Sequence, residues 1–185
     1  MLTGNEILRL VENGDIKISD FDKSRLNPNS YNLRLDNNLG YYPIAEHKVV
    51  SESGRIIYYL DSKKENELQV VKIPNDGIIL EPNILYLANT METTWAKDLI
   101  PCISGRSSMA RLGVEVHRTA GFGDIGVNLK WTLEITVVHP VILYPGQEIC
   151  QIYFEKPDGD TGIQYDGKYQ NSNTVIGSKS FLDFK

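Results

Sequence analysis

The sequence predicts an all-β protein with minor helices, built as a sandwich or barrel, and three observations carry that prediction. Short runs rich in β-branched and aromatic residues recur at close spacing (residues 55–60, 78–80, 83–90 and 148–154), with turn signals such as Asp76-Gly77 and Pro145-Gly146 between them. Residues 29–35 alternate in the strand manner, with Tyr31, Leu33 and Leu35 on one face and Arg34 on the other. A capped helical period shows clearly only near the start, and the length of 185 residues suits a single domain, 1–185.

Taken in order, Thr3 is placed as a helix N-cap with Glu6 as its capping-box partner; Ile7, Leu8 and Val11 give the apolar face, and Asn13-Gly14 ends the helix. Residues 16–28 read as polar and irregular, and the strand at 29–35 follows. The charged run 61–67 reads as a solvated loop, and Asp76-Gly77 opens a hairpin-like passage into 78–80. Residues 131–138 read as an almost wholly apolar, buried strand. Two more strands, 137–143 and 148–154, are joined through 144–147. From Lys156 onward Asp, Gly, Ser, Asn and Lys dominate, so residues 156–185 are expected to be a flexible tail or lid that local packing alone does not order.

The formal net charge of −5 argues against a general nucleic-acid or anionic-membrane surface, so any anion is bound locally. No apolar stretch approaches the ~18 residues of a membrane span and the start lacks a basic, then apolar, leader, which leads us to expect a cytoplasmic protein. Cys102 and Cys150 sit in apolar runs and are expected as small buried hydrophobes without a disulfide.

Chemistry concentrates between Ser104 and Glu134. Glycines there let backbone amides approach a ligand; Arg106 and Arg111 offer charged donor forks suited to phosphate or carboxylate, and Ser107 and Ser108 donate or accept. Read as an alternating segment, Arg106 and Ser108 face a phosphate chain while Ser107 faces away. Glu134, in the apolar run, is expected to be poorly hydrated, with Arg111 near it, and a buried acid is costly unless it is used. His117 is assigned either to a subunit contact or to a backbone-satisfied core position, and Trp131 to the core. The residues alone thus point to an anion-binding site with a buried acid.

The motifs in this stretch, Gly105-Arg106-Ser107-Ser108-Met109-Ala110-Arg111-Leu112-Gly113, Val116-His117-Arg118-Thr119-Ala120-Gly121, Asp124-Ile125-Gly126 and Thr132-Leu133-Glu134-Ile135, closely resemble the dCTP deaminase family of the trimeric dUTPase superfamily. Segments 27–35, 145–152 and 168–171 extend the resemblance over nearly the whole chain. It implies a dUTPase-like distorted β-barrel or jelly roll, assembled as a homotrimer with sites between subunits. It implies deamination of dCTP with Glu134 as proton shuttle, and with Ser107 and Arg111 positioning the water. Nucleotide contacts are implied for Arg106, Ser107, Ser108, Met109, Ala110, Arg111, Thr119, Ala120, Asp124, Thr132, Leu133, Glu134, Gln151, Tyr165, Lys168 and Ser172. Mg²⁺ is expected to arrive with the triphosphate, held by phosphates and waters, so no protein metal ligand is assigned. dTTP is a candidate inhibitor.

The zinc deaminases carry His-x-Glu and Pro-Cys-x-x-Cys signatures, whereas His47, His117 and His139 lack a glutamate two residues on and Pro101-Cys102 is followed by Ile103-Ser104. Ala120-Gly121-Phe122-Gly123-Asp124 resembles the dUTPase motif whose aspartate activates the water attacking the α-phosphorus, and Gly121-Phe122 resembles the branch that proceeds to dUMP. Asn32, Ser172 and Val127-Asn128-Leu129 depart from the family pattern, which commonly has an aspartate, a glutamine and an aromatic-x-glycine turn there. The competing readings are a dUTPase without deamination and a nucleotide-binding regulator; a mere binder needs neither Glu134 nor Asp124.

Overall fold

The computed structural model describes residues 1–43 and 48–184; His47 lies outside them. Helix α1 (Gly4–Asn13) is capped as its sequence dictates: Thr3 Oγ1 accepts the Glu6 N–H at 3.3 Å, and Gly14 at φ 81° returns its own N–H to Leu10 and Val11. Ile7 buries the helix against the barrel.

The barrel is an eight-stranded antiparallel sheet. Its main path joins β8 (Ile100–Gly105), β12 (Glu148–Glu155), β2 (Tyr31–Tyr41), β7 (Tyr86–Ala96), β10 (Asn128–Val137) and β9 (Val114–Glu115) in that spatial order. β1 (Ile16–Ile18) adds to β7, and β5 (Gln69–Lys72) to β2. Residues 16–28 are therefore not all irregular: Ile16 and Ile18 are buried on β7, and a 3₁₀ turn follows at Lys23–Arg25. Alternation along β2 places Tyr31, Leu33, Leu35 and Leu39 in the core. β7 also runs six residues past the expected end at Thr90, through a polar-looking stretch whose Glu92 and Thr94 are nevertheless buried.

Residues 116–123 bring the two ends of the sheet together. On one side the Glu134 N–H donates to Val116 O at 3.1 Å; on the other, Ile103 N–H donates to Gly121 O and Gly123 N–H to Pro101 O at 2.7 Å. This segment stitches β10 to β8 and nearly closes the barrel, so the barrel keeps little exposed edge.

β6 (Ile78–Leu80) does not form a local hairpin; it pairs with β11 (Val141–Leu143), a break at 138–140 separating β11 from β10. β3 (Lys48–Val50) and β4 (Ile56–Tyr58) form an exposed hairpin apart from the sheet, and the loop 61–67 is largely exposed, as expected. Cys102 and Cys150 are free and buried. Among the described residues no helix is long and apolar enough to cross a membrane.

One charged cluster sits inside the fold. Glu92 has no exposed surface, takes the guanidinium of Arg25, and accepts Nε of Arg34 at 2.7 Å and the Arg34 backbone N–H at 2.9 Å. It lies on β7 just beyond the Leu35–Thr90 pair, on the opposite side of that pair from the register slip between Leu35 and Leu39.

The tail lies against the barrel. Asn171 N–H donates to Asn128 O at 2.9 Å, Lys130 N–H to Ser172 O at 2.8 Å, and Gln170 Oε1 accepts the Asn128 N–H at 2.9 Å, so residues 170–172 line the otherwise open edge at the start of β10. Val175 is buried, and Ser178 N–H donates to the Tyr42 hydroxyl at 2.7 Å.

Candidate active site

β10 alternates strictly: Leu129, Trp131, Leu133, Ile135 and Val137 point into the core, while Asn128, Lys130, Thr132, Glu134 and Thr136 lie on the half-exposed face. The run that reads as uniformly apolar is thus an amphipathic strand, and the expectation of a buried Glu134 is corrected. Its carboxylate looks into a concavity of about 600 Å³ walled by Leu85, Leu87, Ala120, Thr132, Tyr169 and Ser172, among others. Oε2 accepts the Arg118 N–H at 3.1 Å, and the Arg118 guanidinium is tied to Glu115 at 3.0 Å and to Thr136 Oγ1 at 3.2 Å. One carboxylate oxygen is therefore fixed by the closing segment, and Oε1 has no hydrogen bond among the described residues.

Arg111 does not stand beside Glu134. Ser107–Ala110 form a single helical turn, α2, and Arg111 Nη1 donates to Ser107 O at 3.3 Å within it; among the described residues no ion pair joins Arg111 to Glu134. The helical turn also removes the alternation expected of Arg106, Ser107 and Ser108. Ser107 and Ser108 are exposed and Met109 turns into the core, as Leu133 does, leaving those two only backbone to offer a ligand.

Arg106 is engaged behind the turn. Its Nη2 lies 2.7 Å from Glu148 Oε2 and its Nη1 donates to Glu148 O at 2.9 Å. Asn32 Nδ2 donates to the same carboxylate at 3.0 Å and Asn32 Oδ1 accepts Asn27 at 2.8 Å. The amide at position 32 suits this place, since an aspartate would set a second carboxylate against Glu148. Gln151 closes the group, donating to Gly105 O at 2.9 Å and accepting Ser30 Oγ at 2.7 Å.

Asp124 belongs to a second concavity, about 480 Å³, with Phe122, Gly123, Ile125, Gln164 and Tyr165. Its backbone carbonyl accepts Val127 N–H at 3.2 Å in a turn, while its exposed carboxylate has no hydrogen bond among the described residues. In one chain Glu134 and Asp124 thus open into different hollows. Gly121 is required by close approach: a Cβ there would meet the Ile103 carbonyl at 3.0 Å and the His117 ring at 3.0–3.1 Å. His117 Nδ1 is buried without a hydrogen-bond partner, so the backbone-satisfied reading of it does not hold. Trp131 is a core residue, its Nε1 donating to Thr94 Oγ1 at 2.8 Å.

Ser172 lines the Glu134 concavity, though its hydroxyl turns back to Tyr169 O at 2.6 Å. Lys168 is paired with Asp183, which holds its ammonium above the ordinary lysine range. Thr119 is exposed. The sequence reading missed Asn89. It sits across from Thr132 on β7, 1% exposed, with Nδ2 reaching Trp131 O and Thr132 Oγ1 at 3.4 Å and Oδ1 unpartnered. Its only sequence signal is an amide inside a strand.

Fold and site together define a β-barrel protein that presents one acid, held by one backbone amide, to a small-molecule cavity. The chain belongs to the dCTP deaminase-like family, whose model matches residues 1–157. A Hathewaya histolytica protein named "dCTP deaminase, dUMP-forming" is 46% identical over 185 residues, covering 100% of this chain and 99% of that one. A Leptospira biflexa protein of the same name is 45% identical over 185 residues, with 98% of it covered. In fold the chain is similar to the crystal structure of 2′-deoxycytidine 5′-triphosphate deaminase from Agrobacterium tumefaciens, with a TM-score of 0.58 and 23% identity over 83% of this chain and 46% of that one.

Proposed function

We propose that this protein is a dCTP deaminase that carries its product on to dUMP and diphosphate. The observation that carries the reading is Glu134: one oxygen pinned by the Arg118 amide, the other without a hydrogen bond among the described residues, in a cavity of about 600 Å³ that lies in the range of small-molecule sites. The carboxylate takes a proton from water as that water adds to the ring carbon bearing the amino group, and delivers it to the ring nitrogen. A second transfer, of the added hydroxyl's proton to the amino group, breaks the carbon–nitrogen bond, releases ammonia and leaves the carbonyl of uracil. A fixed carboxylate can serve every transfer because donor and acceptor atoms lie around one carbon.

The remaining residues divide by place. Ala120, Thr132 and Ser172 surround the base and sugar, and Lys168 and Tyr165 on the tail approach the phosphates. Ser107, Ser108 and Arg111 line neither hollow of their own chain, which supports a homotrimer in which α2 of one copy completes the cavity of the next, placing Ser107 and Arg111 on the attacking water. Mg²⁺ enters as part of the substrate, held by its phosphates. Asp124 activates the water for attack at the α-phosphorus, a role supported by its unengaged carboxylate and by the dUMP-forming name of the relatives. The cytoplasm is the compartment expected for such a substrate, and dTTP is a candidate inhibitor of the same cavity.

The test is a time course with dCTP and Mg²⁺, separating nucleotides and assaying ammonia and diphosphate. Wild type should yield dUMP with little free dUTP; Glu134→Gln should retain nucleotide binding and lose ammonia release; Asp124→Asn should release ammonia and accumulate dUTP. Parent-rate turnover by the Gln variant would remove Glu134 from the reaction.

A further inference from the structure

The tail assembles a second cation beside Lys168 that the sequence motifs do not mark. Lys179 Nζ donates to the backbone carbonyl of Lys168 at 2.7 Å, and the Lys179 N–H donates to the Tyr169 hydroxyl at 2.9 Å. Both ammonium groups flank the same ring, 5.9 Å (Lys168) and 5.7 Å (Lys179) from the Tyr169 centroid. Tyr169 and the two neighbours of Lys179, Ser178 and Ser180, line the cavity that holds Glu134, so the lysine pair stands at its rim.

The charges at this rim do not balance. Lys168 is met by both oxygens of Asp183, at 2.8 and 2.7 Å, whereas Lys179 has no carboxylate partner among the described residues. Both lysines are half-buried. An ammonium has three donors, and the single carbonyl bond of Lys179 leaves two without a hydrogen-bond partner among the described residues. Asp183, by contrast, is 64% exposed on the last turn, Ser180–Phe184, and its pair with Lys168 is the kind of exposed contact that a stronger anion replaces.

We propose that Lys179 is a second phosphate-binding residue, acting with Lys168 on the terminal phosphates of the nucleotide, and that Asp183 holds Lys168 until those phosphates displace it. The site takes a polyphosphate with its Mg²⁺. The proposal rests on the reading of the cavity as a nucleoside triphosphate site.

The test uses the full chain with dCTP–Mg²⁺ as substrate and inorganic tripolyphosphate as a probe that needs no base. Lys179→Ala should raise KM for dCTP about tenfold with kcat within about twofold, and weaken tripolyphosphate binding to a similar degree. Lys179→Arg should restore most of both. Asp183→Asn should do the opposite, lowering KM and tightening tripolyphosphate binding, and because it removes an exposed group it serves as the second variant should Lys179→Ala fold poorly. Unchanged KM and tripolyphosphate affinity in Lys179→Ala, or weaker binding in Asp183→Asn, would overturn the proposal. If wild type fails to turn over dCTP while Lys179→Ala still loses tripolyphosphate, the deaminase reading falls and the anion site stands; turnover with no effect of Lys179 is the reverse.

Discussion

Replacing Glu92 by glutamine is the sharpest test of what holds the barrel together. The carboxylate is fully buried, ion-paired to Arg25, which is 8% exposed, and bonded twice to Arg34. The amide keeps the shape and one acceptor oxygen but removes the charge, leaving the Arg25 guanidinium, which also donates to the Asp20 carbonyl, without a paired anion among the described residues in a site with little water. Removing one partner of a buried pair costs about 3–5 kcal/mol, and the side-chain exposure of Arg34, 25%, places this case near the lower end. At roughly 2–4 °C per kcal/mol for a chain of this size, the thermal midpoint should fall by about 6–12 °C. Circular dichroism melts at one fixed protein concentration would measure it, since any assembly makes the midpoint concentration-dependent. A triple variant, Arg25→Met, Glu92→Leu and Arg34→Met, should recover much of the loss, because apolar replacement of a whole buried cluster is often neutral or better. A shift under about 2 °C for Glu92→Gln would mean that the cluster contributes little to the fold.

Other outcomes follow from the same structure. Deleting the residues after Asp160 should both lower the melting temperature and raise KM, because the tail carries cavity wall as well as the hydrogen bonds along the β10 edge; an unaltered melt would show that this pairing is worth nothing in solution. Burial pushes the Cys150 thiol above its ordinary value of 9.0, with Glu92 adding to the rise. The neutral thiol therefore stabilises the fold fully below that ordinary value, and the contribution is lost as pH climbs toward the folded one, at about 1.4 kcal/mol per pH unit. Cys150→Ala should flatten that alkaline limb in a urea-unfolding series, and an equally steep limb in the variant would assign it to other groups. Turnover should persist without zinc and require Mg²⁺ only through the triphosphate; stoichiometric zinc whose removal abolishes activity would contradict this.

The parts of this molecule that were legible in the sequence are those decided by neighbours in the chain. Thr3, Glu6 and Gly14 specify α1 because capping acts within four residues, and the alternation of Tyr31, Leu33 and Leu35 specifies the start of β2. Strand pairing is not local, so the union of β6 with β11, more than sixty residues away, left no trace. β1 was missed because Ile16-Lys17-Ile18 is too short to show a period. Glu134 is misjudged in burial, since Thr132, Glu134 and Thr136 are few enough among large apolar residues to hide a period of two. Ser107–Ala110 look as much like an extended turn as a helical one at four residues. Lys179 lies in a segment whose composition suggests no structure at all, and only the folded tail shows what it stands beside.

The closing segment 116–123 does two things at once: it joins β8 to β10, and through the Arg118 amide it aims Glu134. Reactivity and integrity of the barrel are thereby geared to one seam. Opening this seam would release the Glu134 carboxylate from the Arg118 amide, so that, on the proposed reading of Glu134 as proton shuttle, turnover should fall with the opening of the seam itself. Under that reading a chain folded imperfectly at this closure would hold no aligned acid, which makes the seam a check on activity as well as on shape.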